Sequence, residues 1–256
     1  MFTDLSTTAL VLLFLGAFTI GLSKTGIPGL GILFVGIFAQ VLPPRESVGV
    51  VLPLLICGDI AALILYRRNV RWKMIWRLFP CTALGVIIGT LTLGVASDSV
   101  IARLIGAILA VLLFLHLRGK WRQAHSPQEG ETPPAKAGRW WFSGGTGLAA
   151  GFTTMTANAA GPVMMLYLIS MRIPKKDFFG TAAIFFFFLN LFKVPFHLGI
   201  QTINAETLTL NLYLFPAVFL GAGLGRVILP YIRPTWFEFL ALFFTALAAL
   251  RLLGWG

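Results

Sequence analysis

Six stretches of this chain, running from about Ser47 to Tyr66, Met74 to Val95, Ser99 to Arg118, Asp177 to Gly199, Leu208 to Pro230 and Thr235 to Gly254, are apolar over the length of a bilayer crossing. A transmembrane helix needs roughly 20 such residues. Inside lipid the backbone must satisfy its own hydrogen bonds, so each run is predicted to be a helix. Composition closes off the soluble alternative: 57% of the 256 residues are hydrophobic and the mean hydropathy is +0.87, more apolar surface than one core of this length can hide. The expected fold class is an all-α, polytopic membrane protein with almost nothing left for a soluble domain.

Two further apolar regions are interrupted. Thr8 to Leu42 is broken by Ser23, Lys24, Thr25, Gly26, Ile27, Pro28 and Gly29, and Phe142 to Met171 by Thr153, Thr154, Met155, Thr156, Ala157, Asn158 and Gly161-Pro162. The arms flanking each break are about 12 to 15 residues, short for a full span and suited to re-entrant or broken-helix hairpins. The architecture expected is six full spans plus two such hairpins, about eight or more segments in the membrane.

The formal charge of +11 orients these spans rather than marking a nucleic-acid binder. Arg67, Arg68, Arg71 and Lys73, the bases from Arg118 to Arg139, Arg172, Lys175 and Lys176, and Arg226 with Arg233 make 14 of the 20 basic residues and fall on one side. That side is predicted to be cytoplasmic. The segments near Asp4, Arg45-Glu46, Asp98 and Glu206 fall on the other, where both termini are expected, and no cleavable leader is expected before Ser6 because a basic n-region is lacking.

The polar stretch 119–138 reads as a cytoplasmic linker between an N-terminal unit, 1–118, and a C-terminal unit, 139–256. The two units resemble each other. Pro43, Gly49 and Asp59 match Pro174, Gly180 and Asn190 at an offset of 131, and Pro80, Gly85 and Gly89 match Pro216, Gly221 and Gly225 at 136; Gly119 and Gly254 follow at 135. Alternating the spans through the charge map makes the repeats inverted in topology. Inverted repeats with broken helices at matching places are how secondary transporters build a site near the bilayer midplane.

The hairpin Gly21-Leu-Ser-Lys-Thr-Gly-Ile-Pro-Gly29, its partner Gly151-Phe-Thr-Thr-Met-Thr-Ala-Asn-Ala-Ala-Gly-Pro162 and the two P-x-x-x-x-G-x-x-x-G blocks resemble the sulfite exporter TauE/SafE family of permeases over essentially the whole chain except the linker. The resemblance implies a bacterial-type, multi-pass inner-membrane carrier for sulfite, sulfonates or related small sulfur-containing or organic anions, with export the expected direction. This chain departs from the family pattern in having Ser23-Lys24-Thr25 where further glycines are common.

The residues themselves point to anion binding. A second half-helix starts after each break with Pro28 or Pro162 in its first turn, where a missing N–H costs nothing. Its free N–H groups and positive dipole end would face the tip. The expected substrate-binding set is Ser23, Lys24, Thr25, Gly26, Thr153, Thr154, Thr156, Asn158 and Gly161. The same hydroxyls also suit the humbler task of satisfying backbone exposed by a break. Lys24 is costly at depth, on the order of 2.5–3.5 kcal/mol, and should face a cavity or a partner. Asp59 is the natural partner; with Asn190 at matched depth it would serve in coupling or as a hairpin clamp.

Lys193 and His197, near the end of their span with Pro195 between them, are expected at the outer mouth, drawing in anions or snorkelling. The Phe185–Phe188 run suits lipid packing better than a gate. Cys57 and Cys81 sit in apolar runs without ligand spacing, the histidines are scattered, and no P-loop or H-E-x-x-H occurs; neither a metal, a cofactor nor a catalytic residue is expected, and the chain does not read as an enzyme. The expected partners are a small anion, the bilayer and protons, with no nucleic acid and a homodimer as one option for assembly. An anion channel, or an intramembrane enzyme acting through Cys57, Asp59 or His197, are the rival readings.

Overall fold

The computed structural model describes residues 5–26, 31–66, 70–125, 140–171, 175–228 and 234–254. These form ten α-helices and, among the described residues, no strand: α1 (Thr7–Thr25), α2 (Gly31–Val41), α3 (Pro44–Tyr66), α4 (Trp72–Val95), α5 (Asp98–His125), α6 (Trp140–Ala157), α7 (Ala160–Ser170), α8 (Lys175–Gly199), α9 (Ala205–Ile228) and α10 (Pro234–Leu253). Six of them, α1, α3, α4, α5, α8 and α9, are long and apolar enough to cross a membrane. The run from Thr235 to Gly254 is the 20-residue α10. Large apolar side chains such as Leu15, Ile64, Leu91, Phe114 and Leu220 are exposed on the outside of the bundle, the surface of a protein whose solvent is lipid. Trp72, Trp76, Trp121, Trp140 and Trp141 are exposed close to helix ends, as interfacial anchors are.

The hairpins differ from expectation in where they break. α1 has 19 residues and α6 has 18, while α2 and α7 have 11 each. The first arms are therefore longer than the 12 to 15 predicted, and Ser23, Lys24, Thr25 and Thr153 to Ala157 lie inside helices rather than in a tip. The reason is local. Ser23 Oγ donates to Ile20 O at 2.9 Å, Thr25 to Gly21 O at 3.1 Å, Thr153 to Ala149 O at 2.7 Å and Thr156 to Phe152 O at 2.8 Å. Hydroxyls that bond back to their own helix extend it without breaking it. α6 ends instead at Asn158, whose left-handed backbone (φ 51) is tolerated by asparagine, with the N–H groups of Asn158 and Ala159 returning to Thr154 O and Thr153 O. An 11-residue helix rises about 16 Å, half a hydrocarbon core, so α2 and α7 are half-helices. Pro28 and Gly29 lie outside the described residues, as does most of the linker; α5 continues to His125, into the stretch read as linker, because Lys120, Arg122, Gln123 and Ala124 are good helix formers that propagate an existing helix past Gly119.

α3 and α8 are antiparallel at the centre. At one end Arg71 Nε pairs with Asp177 at 2.6 Å and its N–H donates to Thr181 Oγ1 at 3.0 Å. At the other end Gly49 lies against the carbonyl of Thr202, and Arg45 reaches Asp98 at 3.7 Å. Around this pair the same packing is made twice. A Cβ on Gly21 of α1 would land on Val218 O and Ala222 N of α9; one on Gly151 of α6 would land on Thr82 O and Val86 N of α4. Gly221 meets Phe18 O and Leu22 N, and Gly85 meets Leu148 O and Phe152 N. Each α6 residue here is 130 beyond its α1 counterpart and each α9 residue 136 beyond its α4 counterpart. Small residues that let helix backbones touch are the usual adhesive between membrane helices, where lipid removes the hydrophobic drive for association.

Candidate functional site

The crossings bring the polar ends of α1 and α6 against the middle of α3 and α8. Asp59, fully buried on α3, takes Lys24 Nζ of α1 on Oδ1 at 2.6 Å and Asn190 Nδ2 of α8 on Oδ2 at 2.7 Å. Three residues along α8, Lys193 is also fully buried; its Nζ donates to Asn158 Oδ1 at 2.6 Å, Thr154 Oγ1 at 3.2 Å and Asn190 Oδ1 at 3.5 Å. Asn158 Nδ2 then donates to Val48 O at 2.9 Å. One hydrogen-bonded line thus runs Lys24, Asp59, Asn190, Lys193, Asn158, Val48. It contains two ammonium groups and one carboxylate, a formal surplus of one positive charge, and Lys193 faces oxygens of neutral groups in all three of these contacts. Burying such a charge is expensive unless something balances it.

A cavity of about 110 Å³ opens on this line. Lys24, Asp59, Thr154, Asn158 and Asn190 form its polar wall, and Phe34, Met164, Phe178, Phe179 and Phe186 much of its apolar wall. Lys24 Nζ also lies 4.5 Å from the centre of the Phe186 ring, a cation–π contact that holds the ammonium at the cavity edge. The N-termini of both half-helices reach it, through Gly31 of α2 and Ala160 and Gly161 of α7. The first turn of a helix has N–H groups without intrahelical partners and a positive dipole end, worth up to ~2 kcal/mol toward a partly buried anion. Pro162 occupies the third position of α7, where no N–H is needed. The centre of the cavity is made of matched residues: Leu55 and Phe186, and Asp59 and Asn190, are 131 apart, and Lys24 and Thr154, Gly31 and Gly161, and Phe34 and Met164 are 130 apart.

Of the residues expected to bind substrate, the fold brings Ser23, Lys24, Thr154, Asn158 and Gly161 to this cavity, together with Asp59 and Asn190. It takes others elsewhere. Thr25 is buried between α1 and α9, donating to Gly21 O and Ala222 O, while its own carbonyl accepts from Tyr66 Oη at 2.6 Å. Gly26 lies against the backbone of Gly225. The hydroxyls of Thr153 and Thr156 are committed to their own helix. We expect Thr153→Val to leave anion flux in proteoliposomes within about twofold of the parent, since its hydroxyl hydrogen bond is intrahelical and contributes only ~1 kcal/mol or less.

Lys193 and His197, expected at an outer mouth, are both buried with no exposure. Instead of snorkelling, Lys193 turns inward because Asn158, Thr154 and Asn190 offer it three oxygens; His197 Nδ1 meets Thr202 Oγ1 at 2.7 Å. The Phe185–Phe188 run, expected to pack against lipid, divides: Phe185 is fully buried and Phe186 lines the cavity, because Phe179, Ala183, Phe186, Asn190, Lys193 and His197 follow the i, i+3/i+4 spacing of one face of α8. Phe188, by contrast, is exposed toward lipid.

A helical bundle with an apolar exterior and a cavity walled by Lys24, Asp59, Thr154, Asn158 and Asn190 defines a multi-pass membrane protein with polar groups buried at its middle. The sequence profile of the sulfite exporter TauE/SafE family matches residues 12–252, and the chain belongs to that family. It is a family of membrane transporters of sulfur anions such as sulfite. No curated protein and no solved structure matches the chain significantly.

Proposed function

We propose that this chain is a secondary carrier that binds a small sulfur-containing or organic anion, sulfite being the first to test, in the cavity beside Lys24 and moves it across the inner membrane by alternating access, in the direction of export. The observation that carries the reading is the meeting of Lys24, Asp59, Asn190 and Lys193 in one hydrogen-bonded line beside a cavity that the starts of α2 and α7 also border. A monoanion in that cavity would balance the line's formal positive surplus, and the N–H groups with Thr154 and Asn158 would replace part of its hydration. The repeated glycine crossings support two inverted units, 1–118 and 139–256, joined by a cytoplasmic linker at 119–138. In this reading the end of the bundle with Arg71 and Asp177 faces the cytoplasm, by the positive-inside rule, and both termini face outward. The membrane potential or a proton drives the cycle.

Sulfite flux into or out of proteoliposomes tests it. Lys24→Ala and Asn158→Ala are each expected to lower flux roughly tenfold or more, the factor implied by losing a hydrogen bond to charge of about 1.5–3 kcal/mol. Flux unchanged in both variants, with the parent active, would rule the site out. High unitary conductance without saturation would instead identify a channel lined by the same groups.

A further inference from the structure

The central cavity is symmetric in its residues but not in its extent. Beyond the matched pairs it continues only one way, past Leu168, Phe178, Phe179 and Ala182, toward the end of the bundle marked by Arg71 and Asp177. The residues that stand in the same relation on the other side are Phe38, 130 before Leu168, and Ser47, Val48 and Val51, each 131 before Phe178, Phe179 and Ala182. Those four residues are all buried and border a second cavity of about 10 Å³. A cavity needs roughly 10–15 Å³ on this measure to hold one water molecule. The second cavity is therefore too small for an anion, while the first has room for one.

Asn158 borders both cavities. Its Nδ2 donates to Val48 O, tying the tip of the α6–α7 hairpin across the small cavity, and its Oδ1 is held by Lys193. Asn158 thus stands between them, at the left-handed residue that ends α6. Two related half-structures in different conformations, one spread and one collapsed around a shared centre, can exchange conformations and so open the closed side as the open side closes.

Resting on the carrier reading above, we propose that the collapsed cavity bordered by Phe38, Ser47, Val48, Val51 and Asn158 is the closed second mouth of the transport path, and that the Asn158–Val48 hydrogen bond is the latch that keeps it shut. The anion leaves the central cavity between α2 and α3, having entered between α7 and α8. Breaking the latch frees Asn158 to move and lets Ser47 and Val51 meet solvent from the side opposite Arg71.

The test uses Ser47→Cys, Val51→Cys and Ala182→Cys in a chain whose two native cysteines, Cys57 and Cys81, are replaced by serine. Sealed vesicles of each orientation are treated with a sulfonated, membrane-impermeant maleimide without sulfite, washed, and assayed for sulfite flux; the thioether formed is not cleaved by sulfite. Ala182→Cys is expected to label from the Arg71 side. Ser47→Cys and Val51→Cys are expected to label from the opposite side, with flux falling at least about tenfold after labelling, since a bulky adduct blocks the path. Adding Asn158→Ala should speed Ser47→Cys labelling roughly fivefold, the population shift for losing one neutral hydrogen bond. Vesicles that transport sulfite while Ser47→Cys and Val51→Cys stay inert, label from the Arg71 side, or label without loss of flux would overturn the second mouth and leave the carrier standing. Absence of flux for every anion in the unlabelled parent would overturn the carrier reading and this proposal with it.

Discussion

Asp59→Ala is expected to destabilise the protein by about 3–5 kcal/mol, the cost of leaving a buried charge without its partner, and to abolish anion flux. Asp59 is fully buried, and Lys24 retains only 13% side-chain exposure, so solvent offers little relief. Two ammonium groups would remain on the line with no carboxylate between them, and Asn190 Nδ2 would lose its acceptor. The double variant Asp59→Asn with Lys24→Met separates the two effects. Replacing a buried pair by neutral groups of similar size is often close to neutral for stability, so the double variant should recover most of the thermal stability lost by Asp59→Ala. It should recover none of the flux, because the ammonium at the cavity edge is gone. Thermal unfolding in detergent, beside flux in proteoliposomes, checks both; an Asp59→Ala protein with parental stability would contradict the pairing.

Gly21→Ala and Gly151→Ala are expected to be among the most damaging single-methyl additions at the described glycines. At both positions the new Cβ would fall on a backbone carbonyl oxygen of the crossing helix, Val218 O or Thr82 O, and a backbone cannot turn aside as a side chain does. The helices must separate, so the cost lies at or above the upper end of the usual ~1–3 kcal/mol for overpacking. Because α1 and α6 carry Lys24, Thr154 and Asn158, separation would also pull the site apart. Gly94→Ala and Gly223→Ala are the controls: both lie in helices with nothing within 4 Å of the added atom, and alanine there should be neutral or stabilising by up to ~1 kcal/mol. Yield of monodisperse protein and unfolding temperature distinguish the two classes, and equal behaviour of all four would contradict the close crossings.

Much of the fold was legible because lipid leaves a chain few options. An apolar run of bilayer length has to be a helix, so the spans of α3, α4, α5, α8 and α9 could be read directly. The hairpins were legible in kind but not in detail. Ser23-Lys24-Thr25 and Thr153 to Thr156 looked like breaks because polar residues at depth usually mark one, yet their hydroxyls satisfy their own helix and push the breaks on to Gly26 and Asn158. In the site, Lys24, Asp59 and Asn190 stood out as isolated polar residues in apolar surroundings. Lys193 did too, but its place near the end of an apolar run argued for the interface, whereas its oxygen partners, Asn158 and Thr154, come from residues 35 and 39 positions earlier in the chain.

Sequence alone therefore carries the solvent and the helices, because both follow from local polarity and spacing. Which polar groups meet, and how much space is left beside them, belongs to the tertiary structure. Ser47 and Phe178 are 131 apart and Phe38 and Leu168 130 apart, yet nothing local tells that Phe178 and Leu168 border a cavity of about 110 Å³ and Ser47 and Phe38 one of about 10 Å³. That difference arises from contacts between distant segments, chief among them the hydrogen bond by which Asn158 reaches across to Val48.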